Sequence, residues 1–389
     1  MKTICQVTFS EYPNDQRIRR YVSALIETGY RVIVLCIRDE HNKESEYGEK
    51  LIIKRLGVSK KRGSYSSRTL EYASFFFKSV FYTTLFFFKY RIRVFHVNTF
   101  PDFAAFTPAI PKLFGAKILL DLHELTPEAM MMRENYNEDK FIIKFLKFIE
   151  KMSILISDEL ITIHDIAGEI LSKRNKRKFT YIINGIDENE FTKLEKLPNQ
   201  YFDIIYIGTI NPNLNLGLVI DALELLRKQV SAEEFDKIRF LIYGKGPELD
   251  NILEKAKQKG LEKKVIYKGV VSYKKMLEEL RYASVTIYPP KRNIYTEICY
   301  PIKLTEFINL NIPVIATKYR TLNYFYPDDC IFYINPENLQ EVVNKIMLVY
   351  RNPGEVKIKT NNALEAYKKV SWKNVMKKRY LDLIEKMCA

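Results

Sequence analysis

Short apolar runs alternate with longer amphipathic stretches along almost the whole chain, and this alternation constrains the fold more than any other feature. Residues 2–9 and 31–37 are β-branched, apolar runs of strand length. Between them, 15–28 carries Ile18, Val22, Leu25 and Ile26 at helical spacing. Gly29 follows, as a glycine just past a helix often does. The segment 31–37 is apolar nearly throughout, the signature of a parallel strand covered on both faces. The pattern continues with strand candidates at 51–56, 94–97, 117–122, 160–163 and 180–183, which predicts a doubly wound α/β domain.

The texture changes near 188–203, where a polar, proline-containing stretch reads as an interdomain linker. A second α/β series follows, with strands at 203–207, 238–243, 265–267, 285–288 and 313–316. Helices are expected at 216–227, 247–259, 273–283 and 302–310. A chain of 389 residues is long enough for two cores. The expected domains are 1–195 and 200–371, facing across a cleft. Open α/β sheets bind ligands at the carboxyl ends of their strands, so the chemistry is sought there.

Several function classes fall away on composition. The five cysteines, Cys5, Cys36, Cys299, Cys330 and Cys388, are dispersed, odd in number and without a Cys-x-x-Cys pair. The four histidines are scattered too. Reduced thiols in a cytoplasmic protein are expected, with no zinc site and no disulfide framework. The N-terminus is too short and too β-branched for an export signal. No run approaches the roughly 18 uncharged residues that cross a bilayer. The net charge of +15 asks for an anionic partner: nucleic acid, a membrane surface or a phosphorylated small molecule. No nucleic-acid motif is present, and nucleic acid is not expected as a partner.

Candidate chemistry sits at the strand ends. Asp121-Leu122-His123-Glu124 closes one strand with three polar side chains; His123 could hold a proton or bond a substrate hydroxyl, or be a loop histidine satisfied locally. Asn184-Gly185-Ile186-Asp187 makes a tight turn after another. In the second half, Gly208-Thr209 would let backbone approach a phosphate or sugar. Lys245, in Gly244-Lys245-Gly246-Pro247, stands before a helix, either to attract an anion or simply as an exposed turn lysine. The richest stretch is Tyr300-Pro301-Ile302-Lys303-Leu304-Thr305-Glu306, running to the strand Val314-Ile315-Ala316. Proline suits a helix start, free amides beside Lys303 suit a diphosphate, and Glu306 one turn later can accept from two ribose hydroxyls.

These last residues resemble the donor-binding helix of family-4 retaining glycosyltransferases of the GT-B fold, in the glycosyl transferases group 1. Asn184-Gly185-Ile186-Asp187 resembles their Asn-Gly-Val-Asp segment. Asp121-Leu122-His123-Glu124 and Asp15-Gln16-Arg17-Ile18 resemble an Asp-x-His-Glu motif and an Asp-x-Arg-Val helix start of one subgroup. Ser371-Trp372-Lys373 resembles the start of the C-terminal helix, 372–389, that returns to the first domain. The resemblance implies a nucleoside-diphosphate sugar donor, such as a UDP-sugar, on Gly208, Thr209, Lys245, Lys303, Leu304, Glu306 and Glu297. It implies His123, with Asp121 and Glu124, at the reaction centre, and Asp15, Arg17 and Asn184 on the acceptor side. Transfer would need no metal and no cofactor, since cations and helix amides meet the phosphates. The product would be a cell-surface polysaccharide or glycolipid precursor. Two departures stand out. The family's basic pair after the first strand of the second domain is replaced by Thr209 and Leu214, and the glutamate eight residues before Glu306 is Ile298, with Glu297 beside it.

Residues 71–95 stand apart, dense in phenylalanine and tyrosine beside Lys78, Lys89, Arg91 and Arg93. Aromatic and basic residues together suit a helix lying in the headgroup region of an anionic membrane, here the inner face with a lipid-linked or glycan acceptor. A core helix with basic ends is the alternative. Two other functions remain in view: a nucleotide-sugar epimerase, and a non-catalytic partner of another transferase.

Overall fold

The computed structural model describes residues 1–38, 44–59, 65–186, 188 and 195–389, with backbone alone at 65–67. Asp187 of the tight turn, and 189–194 of the expected linker, lie outside the described residues. The chain forms two compact units. Unit 1 comprises Met1–Gly185 with Trp372–Ala389, and unit 2 is Ile186–Ser371.

Unit 1 is built on eight strands: β1 (Thr3–Glu11), β2 (Arg31–Ile37), β3 (Glu46–Tyr47), β4 (Leu51–Arg55), β5 (Ile92–Asn98), β6 (Lys117–Leu122), β7 (Glu159–Thr162) and β8 (Thr180–Tyr181). Their order in the sheet is β3-β4-β2-β1-β5-β6-β7-β8, and only the short β3 runs antiparallel. Parallel neighbours need crossovers, and the intervening helices supply them. Helix Gln16–Glu27 starts because the Asp15 side chain accepts from the amides of Arg17 and Ile18, and its apolar stripe buries Ile18, Val22 and Leu25. Helix Lys377–Cys388 brings the end of the chain back onto this sheet.

The period of two along a strand, combined with parallel register, assembles one polar row inside an apolar sheet. Thr8 pairs with Asn98, and Asn98 with Asp121; one pleat earlier, Gln6 pairs with His96. All five side chains are buried. The strand order reverses between the parallel neighbours β1 and β5, so this row ends at the switch point, where ligands of such sheets bind.

Unit 2 carries six parallel strands: β9 (Phe202–Ile207), β10 (Ile238–Tyr243), β11 (Val265–Gly269), β12 (Val285–Tyr288), β13 (Val314–Thr317) and β14 (Phe332–Ile334), in the order β11-β10-β9-β12-β13-β14. Its switch point lies between β9 and β12. There the loops after both strands are joined by the Lys291 amide donating to the Asn213 carbonyl at 2.7 Å. Helix Ile302–Asn309 follows, with Leu304, Phe307 and Ile308 in the core. Among the described residues no helix is long and apolar enough to cross a membrane.

Candidate functional site

In unit 1 the site is centred on the end of β6. The Asp121 carboxylate is 2% exposed and accepts from the Tyr21 hydroxyl at 3.2 Å. His123 Nδ1 lies 3.3 Å from Asp121 Oδ1. A carboxylate only accepts, so this contact places a ring proton on Nδ1 and turns the Nε2 edge away from Asp121. Beneath lies a network that one sequence cannot show. His96 Nδ1 meets the Tyr380 hydroxyl at 3.1 Å, Gln6 donates to that hydroxyl at 3.0 Å, and Asn98 donates to Gln6 at 3.0 Å. His96 Nε2 stands 3.8 Å from Asp121, beyond hydrogen-bond reach. Burial holds His96 below its ordinary pKa, partly offset by the Asp121 carboxylate. Burial likewise raises the Tyr21 and Tyr380 hydroxyls well above the usual phenol range. Asp121 is therefore a positioning group below the surface, whereas His123 and Glu124 line a cavity of about 530 Å³ with Thr8, Ser10, Asp15 and Arg17.

Asp15, Arg17, His123 and Glu124 are thus brought together. Asn184 is placed elsewhere in unit 1. Its Oδ1 accepts from Arg20 at 2.6 Å, and that guanidinium lies 5.3 Å from the Trp372 ring centre.

In unit 2, Lys303, in the first turn of helix Ile302–Asn309, faces Glu306 about one turn later. Lys303 Nζ reaches both Glu306 oxygens, at 3.2 and 3.1 Å. Glu306 is 3% exposed while Lys303 is half-exposed. A lysine three residues before the glutamate lies on the same helical face. Pro301 caps the helix without a side-chain bond, so the helix start offers backbone amides and the positive end of its dipole. The Leu304 side chain points into the core and its amide already donates to the Pro301 carbonyl at 2.9 Å.

The glycines of unit 2 have a clear packing role. A Cβ on Gly244 would lie 1.9 Å from the Gly208 carbonyl oxygen, and one on Gly246 1.9 Å from that of Ile210. The two loops are zipped by the Ile210 amide donating to Lys245. Thr209 and Lys245 are exposed, and the Thr209 carbonyl accepts from Tyr206. Leu214 packs against the core, so its apolar identity serves the loop's anchoring. Glu297 is occupied: Oε1 accepts from Arg292 and Oε2 from the Arg320 amide at 2.8 Å. Ile298 beside it is buried.

Two helices of unit 1 expose aromatic stripes, the first within the aromatic, basic segment expected from the sequence and the second not singled out there. Helix Tyr65–Tyr90 exposes Leu70, Phe77, Phe81, Leu85 and Phe88 on one face while burying Phe75 and Phe86. Helix Phe141–Ile156 exposes a second stripe, Phe141, Phe145, Phe148 and Leu155, with Lys144 and Lys151 also exposed. The i, i+4, i+7 spacing of the second stripe was readable in the sequence. Both helices pack against the turn Asp102–Phe106, the first through Tyr72 and Phe76 on Phe103, the second through Ser153 on the Asp102 carbonyl.

Residues 187–370 match the family model described as Glycosyl transferases group 1. No curated protein matches the sequence. Among solved structures, sucrose-phosphate synthase from Thermosynechococcus elongatus is similar at 15% identity and a TM-score of 0.77, covering 100% of this chain and 99% of its own. A glycosyltransferase from Rickettsia africae is similar at 14% identity and a TM-score of 0.71, covering 99% of this chain and 98% of its own. The Anabaena Alr3699/HepE protein in complex with UDP is similar at 13% identity and a TM-score of 0.66, covering 99% of this chain and 100% of its own. The fold is accordingly α/β of the GT-B architecture, made of two Rossmann-like units.

Proposed function

We propose that this chain is a retaining, family-4 glycosyltransferase that moves a sugar from a nucleoside diphosphate, with UDP the first candidate, to a saccharide or lipid-linked acceptor. The observation that carries this reading is the Lys303–Glu306 pair on an uncapped helix start at the strand ends of unit 2, inside the segment that matches the group 1 family model. A half-exposed ammonium and first-turn amides suit the diphosphate, and a buried carboxylate suits the ribose hydroxyls. On binding, the ammonium would turn from Glu306 to phosphate, and the carboxylate would accept from the ribose. Negative charge that develops on the leaving diphosphate is then met by Lys303 and the helix dipole, with no metal needed. Unit 1 takes the acceptor, with His123 at the reaction centre, its tautomer held by Asp121.

The two exposed aromatic, basic stripes of unit 1 support contact with the inner, anionic face of a membrane. Phenylalanine rings suit the headgroup boundary and each lysine or arginine there adds about 1 kcal/mol. This fits a lipid-linked acceptor in polysaccharide or glycolipid synthesis. One observation favours a second reading, a non-catalytic partner of another transferase: Thr209 and Leu214 stand where the resemblance expects a basic pair, and Leu214 is committed to packing.

Calorimetric titration with UDP, GDP and ADP tests the donor site. One diphosphate is expected to bind, weakened about 10- to 100-fold in Lys303→Ala and in Glu306→Ala, each of which loses a charge-assisted contact. Absence of binding by all three at millimolar concentration would contradict the assignment.

A further inference from the structure

We infer that the cavity of unit 1 is an oxyanion subsite in which Arg17 grips a phosphate or carboxylate borne by the saccharide acceptor. The inference rests on the transferase reading and deepens it by giving the acceptor's chemical class.

Arg17 is the observation that points to a ligand. It is 8% exposed, yet among the described residues its guanidinium makes no hydrogen bond, and its Nε is buried without a partner. The nearest carboxylate oxygen, Asp15 Oδ2, is 3.8 Å from Nη2, an ion-pair distance beyond hydrogen-bond reach. Asp15 is already engaged, because its Oδ1 accepts from the Arg17 amide at 3.0 Å and the Ile18 amide at 3.3 Å to start the helix. A guanidinium carries five donors in a fixed fork and cannot shed its charge. Left unsatisfied and buried it is costly, and an oxyanion approaching the fork satisfies two donors at once.

The surroundings specify more. Arg17 lines the cavity of about 530 Å³ at the switch point of the unit 1 sheet, together with the hydroxyls of Thr8 and Ser10, which lie 2.8 Å apart, and with His123. Tyr72 and Phe100 form one wall, their ring centres 5.4 Å apart. An apolar aromatic wall with a few converging polar groups and one buried cation suits a sugar carrying an anion better than a neutral sugar. The rim carboxylates Glu71 and Glu124 are more exposed than Arg17, so water screens them more. The anion could also belong to the donor's diphosphate, and the test separates the two sources.

Binding of glucose, glucose 6-phosphate, glucuronate, inorganic phosphate and the nucleoside diphosphates is measured calorimetrically for the full chain and for Arg17→Gln, Arg17→Lys, Ser10→Trp and Glu306→Ala. The expected result is that glucose 6-phosphate or glucuronate binds about tenfold or more tightly than glucose, and that Arg17→Gln removes this advantage while Arg17→Lys keeps part of it. Nucleoside diphosphate binding should be unchanged in Arg17→Gln and weakened in Glu306→Ala. Ser10→Trp, which fills the cavity from its half-buried wall, should also lose the charged sugar, and it serves if Arg17→Gln does not fold. Charged sugars binding no better than glucose, or binding that survives both Arg17→Gln and Ser10→Trp, overturns the inference. A loss in Arg17→Gln confined to the nucleoside diphosphate assigns the oxyanion to the donor and overturns it too. Failure of every nucleoside diphosphate to bind the wild type is a different result: it removes the transferase reading on which the acceptor assignment stands.

Discussion

A buried carboxylate shows how strongly single residues report on their surroundings here. Asp102 lies at the turn between β5 and the following helix, where among the described residues only the Thr126 hydroxyl, at 3.3 Å, bonds its side chain. Burial, reinforced by the nearby Glu150 charge, pushes its carboxyl up to about 7. Folded protein therefore holds this proton between about pH 4 and 7, where the unfolded chain has lost it. The contribution of Asp102 is most favourable below its unfolded pKa and is lost as pH rises to about 7, by an amount on the order of 4 kcal/mol. Asp102→Asn, which mimics the protonated acid, should flatten the stability profile over that window and raise the melting temperature at pH 8. An unchanged profile in urea titrations from pH 4 to 8 would count against this. At the same scale, the Asp121-Leu122-His123-Glu124 strand end was legible because an apolar run stops at polar residues. The support beneath it was not: Tyr21, His96 and Tyr380 are distant in the chain, His96 and Tyr380 by 284 residues, and no local pattern pairs them. Arg17 was legible as a motif residue, but its burial follows only from the packing of helix Gln16–Glu27 on the sheet.

Elements were more readable than partners. The periods of 2 and 3.6 placed β2, β6, β10 and β12 at their observed bounds, and most other strands within two residues. β3 and β14 were missed because two- and three-residue strands carry too little pattern to stand out. Helix Tyr65–Tyr90 was legible as an aromatic, basic segment. Which of its rings are exposed depends on the sheet face it covers. Helix Phe141–Ile156 carries its stripe at readable helical spacing, but that this face is left uncovered follows only from packing. These two elements carry the membrane prediction. Phe77→Ser with Phe81→Ser, or Phe145→Ser with Phe148→Ser, should reduce sedimentation with vesicles containing about a third phosphatidylglycerol. Thermal stability should shift little, since exposed positions usually contribute within about 0.5 kcal/mol. Equal binding of wild type and variants, or equal binding to neutral vesicles, would contradict membrane contact through these faces.

Across the whole molecule, one unit is split along the chain by the other: Met1–Gly185 and Trp372–Ala389 form the first, and the intervening Ile186–Ser371 the second. The closing helix buries Tyr380, Ile384 and Met387 on the unit 1 sheet, so the last 18 residues complete the network under His123. The net charge of +15 is a property at this scale as well, and it suits phosphorylated substrates and an anionic surface alike. Glycosyl transfer is the activity proposed for the whole chain. It is tested most directly by incubating the protein and membrane extract with UDP-, GDP- and ADP-sugars, and following nucleoside diphosphate release and the anomeric proton of the product by NMR. Acceptor-dependent release from one donor is expected, with a product of the donor's anomeric configuration and loss of turnover in Glu306→Ala and His123→Ala. A wild-type protein that binds a nucleoside diphosphate yet transfers from no donor would contradict it and favour the non-catalytic partner; an inverted product would contradict retention.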